Sequence, residues 1–119
     1  MRITGVDHVQ VAAPAGCEAQ ARAFYGGVLG LAEREKPPVL AARGGCWFDA
    51  GAQQLHVGVE ADFAPARKAH PGFVVDDLEA LRERLREAGQ EPQDDETIPG
   101  TRRFYAEDPF GNRLEFRQA

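Results

Sequence analysis

The sequence predicts an α+β fold built from two βαβββ modules within one domain, module 1 over about residues 1–62 and module 2 over about 68–119. Three observations carry that expectation. The same order of patterns occurs twice: an alternating apolar run, a helical stripe, then three further short alternating runs. Landmarks recur at nearly one offset, with His8 and His70 62 positions apart and both Gly30 to Gly89 and Leu55 to Leu114 59 apart. Titratable residues also fall at matching places, His8 with His70 in the opening strands and His56 with Glu115 in the closing ones.

The first module opens with "VDHVQVAA", which places Val9, Val11 and Ala13 on one face of a strand and His8, Gln10 and Ala12 on the other. "CEAQARAFYGGVLG" reads as a helix with Ala21, Phe24, Tyr25 and Val28 toward the core, ended by Gly26, Gly27 or Gly30. Three short strands follow: "LAEREK", closed by Pro37 and Pro38, then "GCWFDA" and "QQLHVGVE".

The second module begins at "HPGFVVDD". In "LEALRERLREAG" the stripe Leu78, Leu81, Leu85, Ala88 predicts a helix, with Asp76 or Asp77 as its cap and Gly89 as its stop. A short strand near Gln90 to Pro92 comes next, then the loop "QDDETIPGT", the strand "RRFYAE", the turn "DPFGN" and the strand "RLEFRQ". The turn fixes where the last strand begins, with Gly111 and Asn112 suited to its geometry. Its register puts Glu115 on the open side, with Leu114 and Phe116 toward the helices.

A chain of 119 residues, 43% hydrophobic and 28% charged, fits one globular domain with a core of its own. No apolar run approaches the roughly 18 residues of a membrane span, and the start lacks a secretory pattern, so a cytoplasmic protein is expected. The net charge of −5 and the interleaving of basic with acidic residues argue against nucleic acid as a partner. Cys17 and Cys46 form no CxxC pair and read as small apolar fillers, although Cys17 lies near a helix start, where a thiolate could be stabilised.

All three histidines sit at the start of or inside strands at repeat-related positions, and with Glu115 they form a four-member set. Two halves with sheets curved toward each other would bring His8, His56, His70 and Glu115 to the centre of a cup. Three imidazoles and a carboxylate suit a divalent ion such as zinc, nickel, cobalt, manganese or iron(II). The plainer alternatives are hydrogen-bonded structural histidines and a solvated strand glutamate. His56, whose neighbours alternate cleanly, is the member closest to that alternative.

The segments "DHVQVA", "AFYGGVLGL", "WFDAG", "QLHVG", "HPGFVVDDLEALRERLREAG" and "RRFYAEDPFGNRLEF" together resemble the vicinal oxygen chelate superfamily. That group includes glyoxalase I, extradiol dioxygenases, fosfomycin-modifying transferases and bleomycin-resistance proteins. The resemblance implies a cupped mixed β-sheet completed in a homodimer, and metal ligands from the first and last strands of each module, here His8, His70, His56 and Glu115. Where glyoxalase I typically carries a glutamate, this chain carries His56, a departure that argues against glutathione-hemithioacetal isomerisation. The set usual in the fosfomycin transferases, His8, His70 and Glu115, is present. Bleomycin-binding members have lost these residues.

The resemblance implies a small metalloprotein acting on a substrate with vicinal oxygens, as a lyase or isomerase, thiol transferase or dioxygenase, with Glu115 as the catalytic carboxylate. The alternative is a metal-free drug- or metabolite-binding protein of the bleomycin-resistance type. Alternation gives the cup face Gln10, Trp47 or Phe48, Phe104 or Tyr105, and Arg113 or Arg117. Gln10, Trp47, Tyr105 and Arg113 are taken as the substrate pocket. Arg113 and Arg117 share Glu115's face, so either could meet an anionic substrate group.

Overall fold

A computed structural model describes residues 1–119. The chain forms two compact units, residues 1–64 and 65–119. In the first, β1 (His8–Ala13) leads to α1 (Glu18–Ala21), which runs on as a π-helical segment, Arg22–Val28. β2 (Glu33–Arg34), α2 (Pro38–Ala41), β3 (Cys46–Ala50) and β4 (Gln53–Val59) follow. In the second, β5 (Gly72–Val75), α3 (Leu78–Glu87), β6 (Gln93–Asp94), β7 (Arg103–Glu107) and β8 (Arg113–Gln118) repeat that order without the extra short helix.

Each unit holds its own four-stranded mixed sheet, ordered β1-β4-β3-β2 and β5-β8-β7-β6. In both, the first strand pairs in parallel with the last and the other pairings are antiparallel. The registers correspond: Gln10 and Trp47 flank His56, and Gly72 and Tyr105 flank Glu115. This is the duplicated α+β unit expected from the pattern. No helix is long and apolar enough to cross a membrane.

Hydrophobic alternation places the buried residues. Val11, Ala13, Phe24, Tyr25, Phe48, Leu55 and Val57 are buried in the first unit, and Leu78, Leu81, Leu85, Phe104, Leu114 and Phe116 in the second. Phe116 stacks on Phe73 at 5.4 Å and tilts against Phe104 at 5.7 Å. Asp77 caps α3 by accepting from the Ala80 amide at 3.0 Å, and Gly89 stops the helix with φ of +87°.

Four details differ from the sequence expectation. Val9 is 41% exposed, because β1 has no strand on its outer side within the unit and only Val11 and Ala13 reach the core. The first helix widens at residue 22, where the amide of Leu29 reaches back five residues to Phe24 O at 2.9 Å. Ala88 is exposed, since α3 ends at Glu87 and Ala88 is its cap. The strand expected at Gln90–Pro92 forms instead at Gln93–Asp94. Pro92 has no amide to donate, and Gln90 spends its side chain as a partner for Glu107, accepting from its amide at 2.6 Å and donating to its carbonyl at 2.8 Å.

Leu85 is fully buried on the stripe of α3. Leu85→Ala is expected to cost about 2–5 kcal/mol by leaving a cavity. Urea unfolding followed by circular dichroism measures this, and a cost below about 1 kcal/mol would mean that the stripe is not a packed core.

Candidate functional site

The open face of the first unit carries a ladder of rings. Strand register sets Trp47 beside His56, and the two rings stack at 4.0 Å and 6°. His8 adds a third layer, 4.2 Å from His56 at 13°. His56 Nε2 donates to Gln54 Oε1 at 2.9 Å, and His8 Nδ1 donates to Asp7 Oδ2 at 2.9 Å. Burial and the neighbouring His8 depress the His56 pKa, so this ring is held toward its neutral form. Gln10 lies over Gly58, where a Cβ would stand 2.6 Å from its Nε2, so the glycine leaves room for that side chain.

Parallel rings at this spacing aim their in-plane lone pairs along parallel planes. One ion bound at about 2 Å cannot lie in both planes. As stacked, His8 and His56 therefore do not chelate one cation together.

The open face of the second unit is ionic. His70 donates from Nδ1 to the backbone carbonyl of Lys68 at 2.8 Å, which fixes the proton on that nitrogen. Its Nε2 stands 3.0 Å from Glu115 Oε1. The other oxygen of Glu115, Oε2, accepts from Arg103 Nη1 at 3.1 Å. Burial pushes the Glu115 carboxyl up, but hydrogen bonds from His70 and Arg103 outweigh it and hold the group below the usual carboxylate range. Asp95 is pulled down to about 2 by the Thr97 hydroxyl and amide, with Arg103 adding to the effect against the opposing influence of burial.

Tyr105, opposite Glu115 in register, meets the His70 ring edge-on at 5.4 Å and carries the Arg113 guanidinium 4.0 Å above its face. Tyr105 and Arg113 also line a cleft of about 830 Å³ within this unit, together with Glu107, Asp95, Gln93 and Arg67.

Neither unit gathers three or more His, Cys, Asp or Glu side chains in a metal-holding cluster. The donor pair of the second unit nevertheless fits two neighbouring positions around a divalent ion. Ligands bound at about 2.0–2.2 Å and set at a right angle lie about 3 Å apart, which matches the His70–Glu115 separation of 3.0 Å. Donation from the other ring nitrogen to a backbone carbonyl is the support that ligating histidines commonly have.

The predicted residues thus fall into two groups: His8, Gln10, Trp47 and His56 on one sheet, and Tyr105, Arg113 and Glu115 on the other, joined by His70, which lies not in a strand as expected but in the segment just before β5. Among the paired alternatives, Phe48 and Phe104 are fully buried and Arg117 is exposed, with its Nη2 3.5 Å from Thr101 Oγ1. Sequence reasoning missed Arg103, the residue that grips Glu115. Alternation puts Arg103 on the same face as Tyr105, and that signal in "RRFYAE" could have found it. Cys17 is no reactive thiol: burial and its contact with the Glu18 carboxylate, 3.1 Å away, push it up to about 12.

The description Glyoxalase/Bleomycin resistance protein/Dioxygenase superfamily matches residues 5–116. The chain belongs to that superfamily. A crystal structure described as a glyoxalase family protein from Bacillus anthracis is 52% identical, with a TM-score of 0.95 over 99% of this chain and 97% of the other. Superfamily architecture also recurs at low identity. Lactoylglutathione lyase from Agrobacterium tumefaciens is 21% identical, with a TM-score of 0.76 over 100% of this chain and 96% of that one. The fosfomycin resistance protein FosX from Listeria monocytogenes is 15% identical, with a TM-score of 0.78 over 99% and 95%. These two share the fold. Among curated proteins, none matches.

Proposed function

We propose that the protein is a small metal-dependent enzyme acting on a substrate with vicinal oxygens. His70 and Glu115, which meet within the second unit, are ligands of a divalent ion. The observation that carries this reading is the 3.0 Å approach of His70 Nε2 to Glu115 Oε1 while His70 Nδ1 donates to Lys68 O. A neutral imidazole protonated at Nδ1 turns a lone pair toward the carboxylate, so the gap is favourable only with a cation in it, either a proton or a metal ion.

A bound zinc, nickel, cobalt, manganese or iron(II) ion supplies Lewis acidity toward substrate oxygens and stabilises negative charge that develops on them. The chain's own groups do the rest. Glu115 supplies the balancing charge, and Tyr105 holds the Arg113 guanidinium over its face beside the cleft, where it is positioned for an anionic substrate group. Gln10 and Trp47 are the corresponding substrate contacts of the first repeat. The substrate decides whether the reaction is that of a lyase or isomerase, a thiol transferase or a dioxygenase.

The outer sides of β1 and β5 carry no strand within their own units, which favours association into a homodimer. Calorimetric titration of metal-stripped protein tests the reading, with light scattering for the mass. About one ion bound per chain and a mass twice the chain's are expected. Absence of binding by all five ions would overturn the metal reading, and a monomer at micromolar concentration the dimer.

The ring ladder of the first unit favours a second reading, a metal-free binding protein with Trp47, His56 and His8 as a wall for a flat ligand. That reading takes the lead if no ion binds.

A further inference from the structure

The geometry assigns Arg103 a positioning role: it limits Glu115 to one oxygen toward a cation and so biases the site against calcium. This rests on the reading of Glu115 as a ligand. Arg103 is 11% exposed and its two terminal nitrogens are committed in different directions. Nη1 donates to Glu115 Oε2 at 3.1 Å, while Nη2 donates to Asp95 Oδ1 and Thr97 Oγ1, both at 3.1 Å. Asp95 is itself fixed, its Oδ1 accepting from Thr97 Oγ1 at 2.6 Å and Thr97 N at 3.0 Å. The Arg103 guanidinium carbon also lies 5.5 Å from the centre of the Tyr105 ring. With both ends held, the buried Nε is left without any partner, so the guanidinium is placed for the carboxylates and not for its own full satisfaction.

The consequence lies at Glu115. Oε2 is taken by Arg103, and Oε1 alone faces the His70 nitrogen. A carboxylate held in this way binds one-sidedly, which suits an ion that accepts imidazole and a single carboxylate oxygen at about 2.0–2.2 Å. Calcium needs about 6–8 oxygens at longer distances and commonly takes both oxygens of a carboxylate. Holding Oε2 denies it one of them. The segment 95–97 thereby shapes metal preference through Arg103 without touching the ion.

Zinc and calcium affinities of the full chain are measured by calorimetry, calcium by competition where it is weak, for the wild type, Arg103→Met, Arg103→Lys and Asp95→Asn, with circular dichroism to confirm folding. Wild type is expected to bind zinc and to discriminate strongly against calcium. Arg103→Met should narrow the ratio of the calcium and zinc dissociation constants by about tenfold or more, and Arg103→Lys and Asp95→Asn should narrow it in the same direction. A purely structural role would weaken both ions together and leave the ratio alone, so an unchanged ratio in folded Arg103→Met overturns the assignment. Should Arg103→Met not fold, an unchanged ratio in the other two variants overturns it equally. Wild type that binds no zinc overturns the metal reading, and this assignment with it.

Discussion

Glu115→Gln is expected to lower metal affinity at least about tenfold while the fold persists. The substitution keeps size and shape but replaces two equivalent oxygens with one oxygen and one amino group. Arg103 Nη1, which donates to Glu115 Oε2 at 3.1 Å, can donate only to the amide oxygen of the glutamine. The amino group is then turned toward His70 and the ion, where it cannot ligate. Loss of the balancing charge adds to the effect.

The stability cost should be limited to roughly 1.5–3 kcal/mol, the range for one hydrogen bond to a charged group, because Asp95 still faces Arg103. Its pH dependence has a defined sign. The Glu115 carboxyl is held below its ordinary value, so its contribution is present above the unfolded carboxylate range and is lost as pH falls through the lower folded value. In Glu115→Gln that acid-side loss should be absent from denaturation curves. Calorimetric titration of both proteins decides the main point. Equal metal affinities would sink the chelate reading and leave the ring wall of the first unit as the binding surface.

Gly45→Ala is expected to be the more damaging change to the fold. A Cβ at Gly45 would stand 2.1 Å from the carbonyl oxygen of Val57 and 3.2 Å from its carbon, and the residue has φ of +83°. The neighbour is backbone of β4, so no side chain can swing aside. The left-handed backbone costs about 1–2 kcal/mol for a residue with a Cβ, and the overlap adds about 1–3 kcal/mol of overpacking. A fall in melting temperature on the order of 10 °C follows for a domain of this size. Gly51→Ala supplies the control: its φ is +60° and a Cβ there meets nothing within 4 Å, so it carries only the backbone penalty. A scanning calorimeter that found the two variants equally stable would show that the close approach at Gly45 relaxes freely. The effect reaches the site, because Cys46 begins β3 opposite Val57 and that register sets Trp47 beside His56.

Much of the arrangement was legible in the sequence because it rests on period and repetition. The alternation of "RRFYAE" and "RLEFRQ" predicts Tyr105 and Glu115 on one face, and the stripe of Leu78, Leu81 and Leu85 predicts the buried side of α3. Other features depend on which of two equally good partners a group finds. Gln90 looks like the start of a strand, yet its side chain bonds the backbone of Glu107 and displaces the strand to Gln93. The widening of the first helix leaves no mark beyond Gly26 and Gly27, which read equally as a stop. Alternation separates the faces of Arg102 and Arg103, but the partners they find, Glu79 for one and Glu115 for the other, come from tertiary structure.

The strand order has a consequence for how the protein is made. In both sheets the strand at the junction of the parallel and antiparallel pairings is the last in its repeat, β4 in one and β8 in the other. β1 therefore emerges during synthesis well before its only partner, and β5, complete at residue 75, waits for residues 113–118. Until then each is an unpaired edge, held only by whatever its helix covers. The parallel pairing closes a long loop and cannot form early, whereas the hairpin of β7 and β8 closes over a short turn. Each sheet is thus completed from its end backward, and the edge left waiting in the second unit begins two residues after His70.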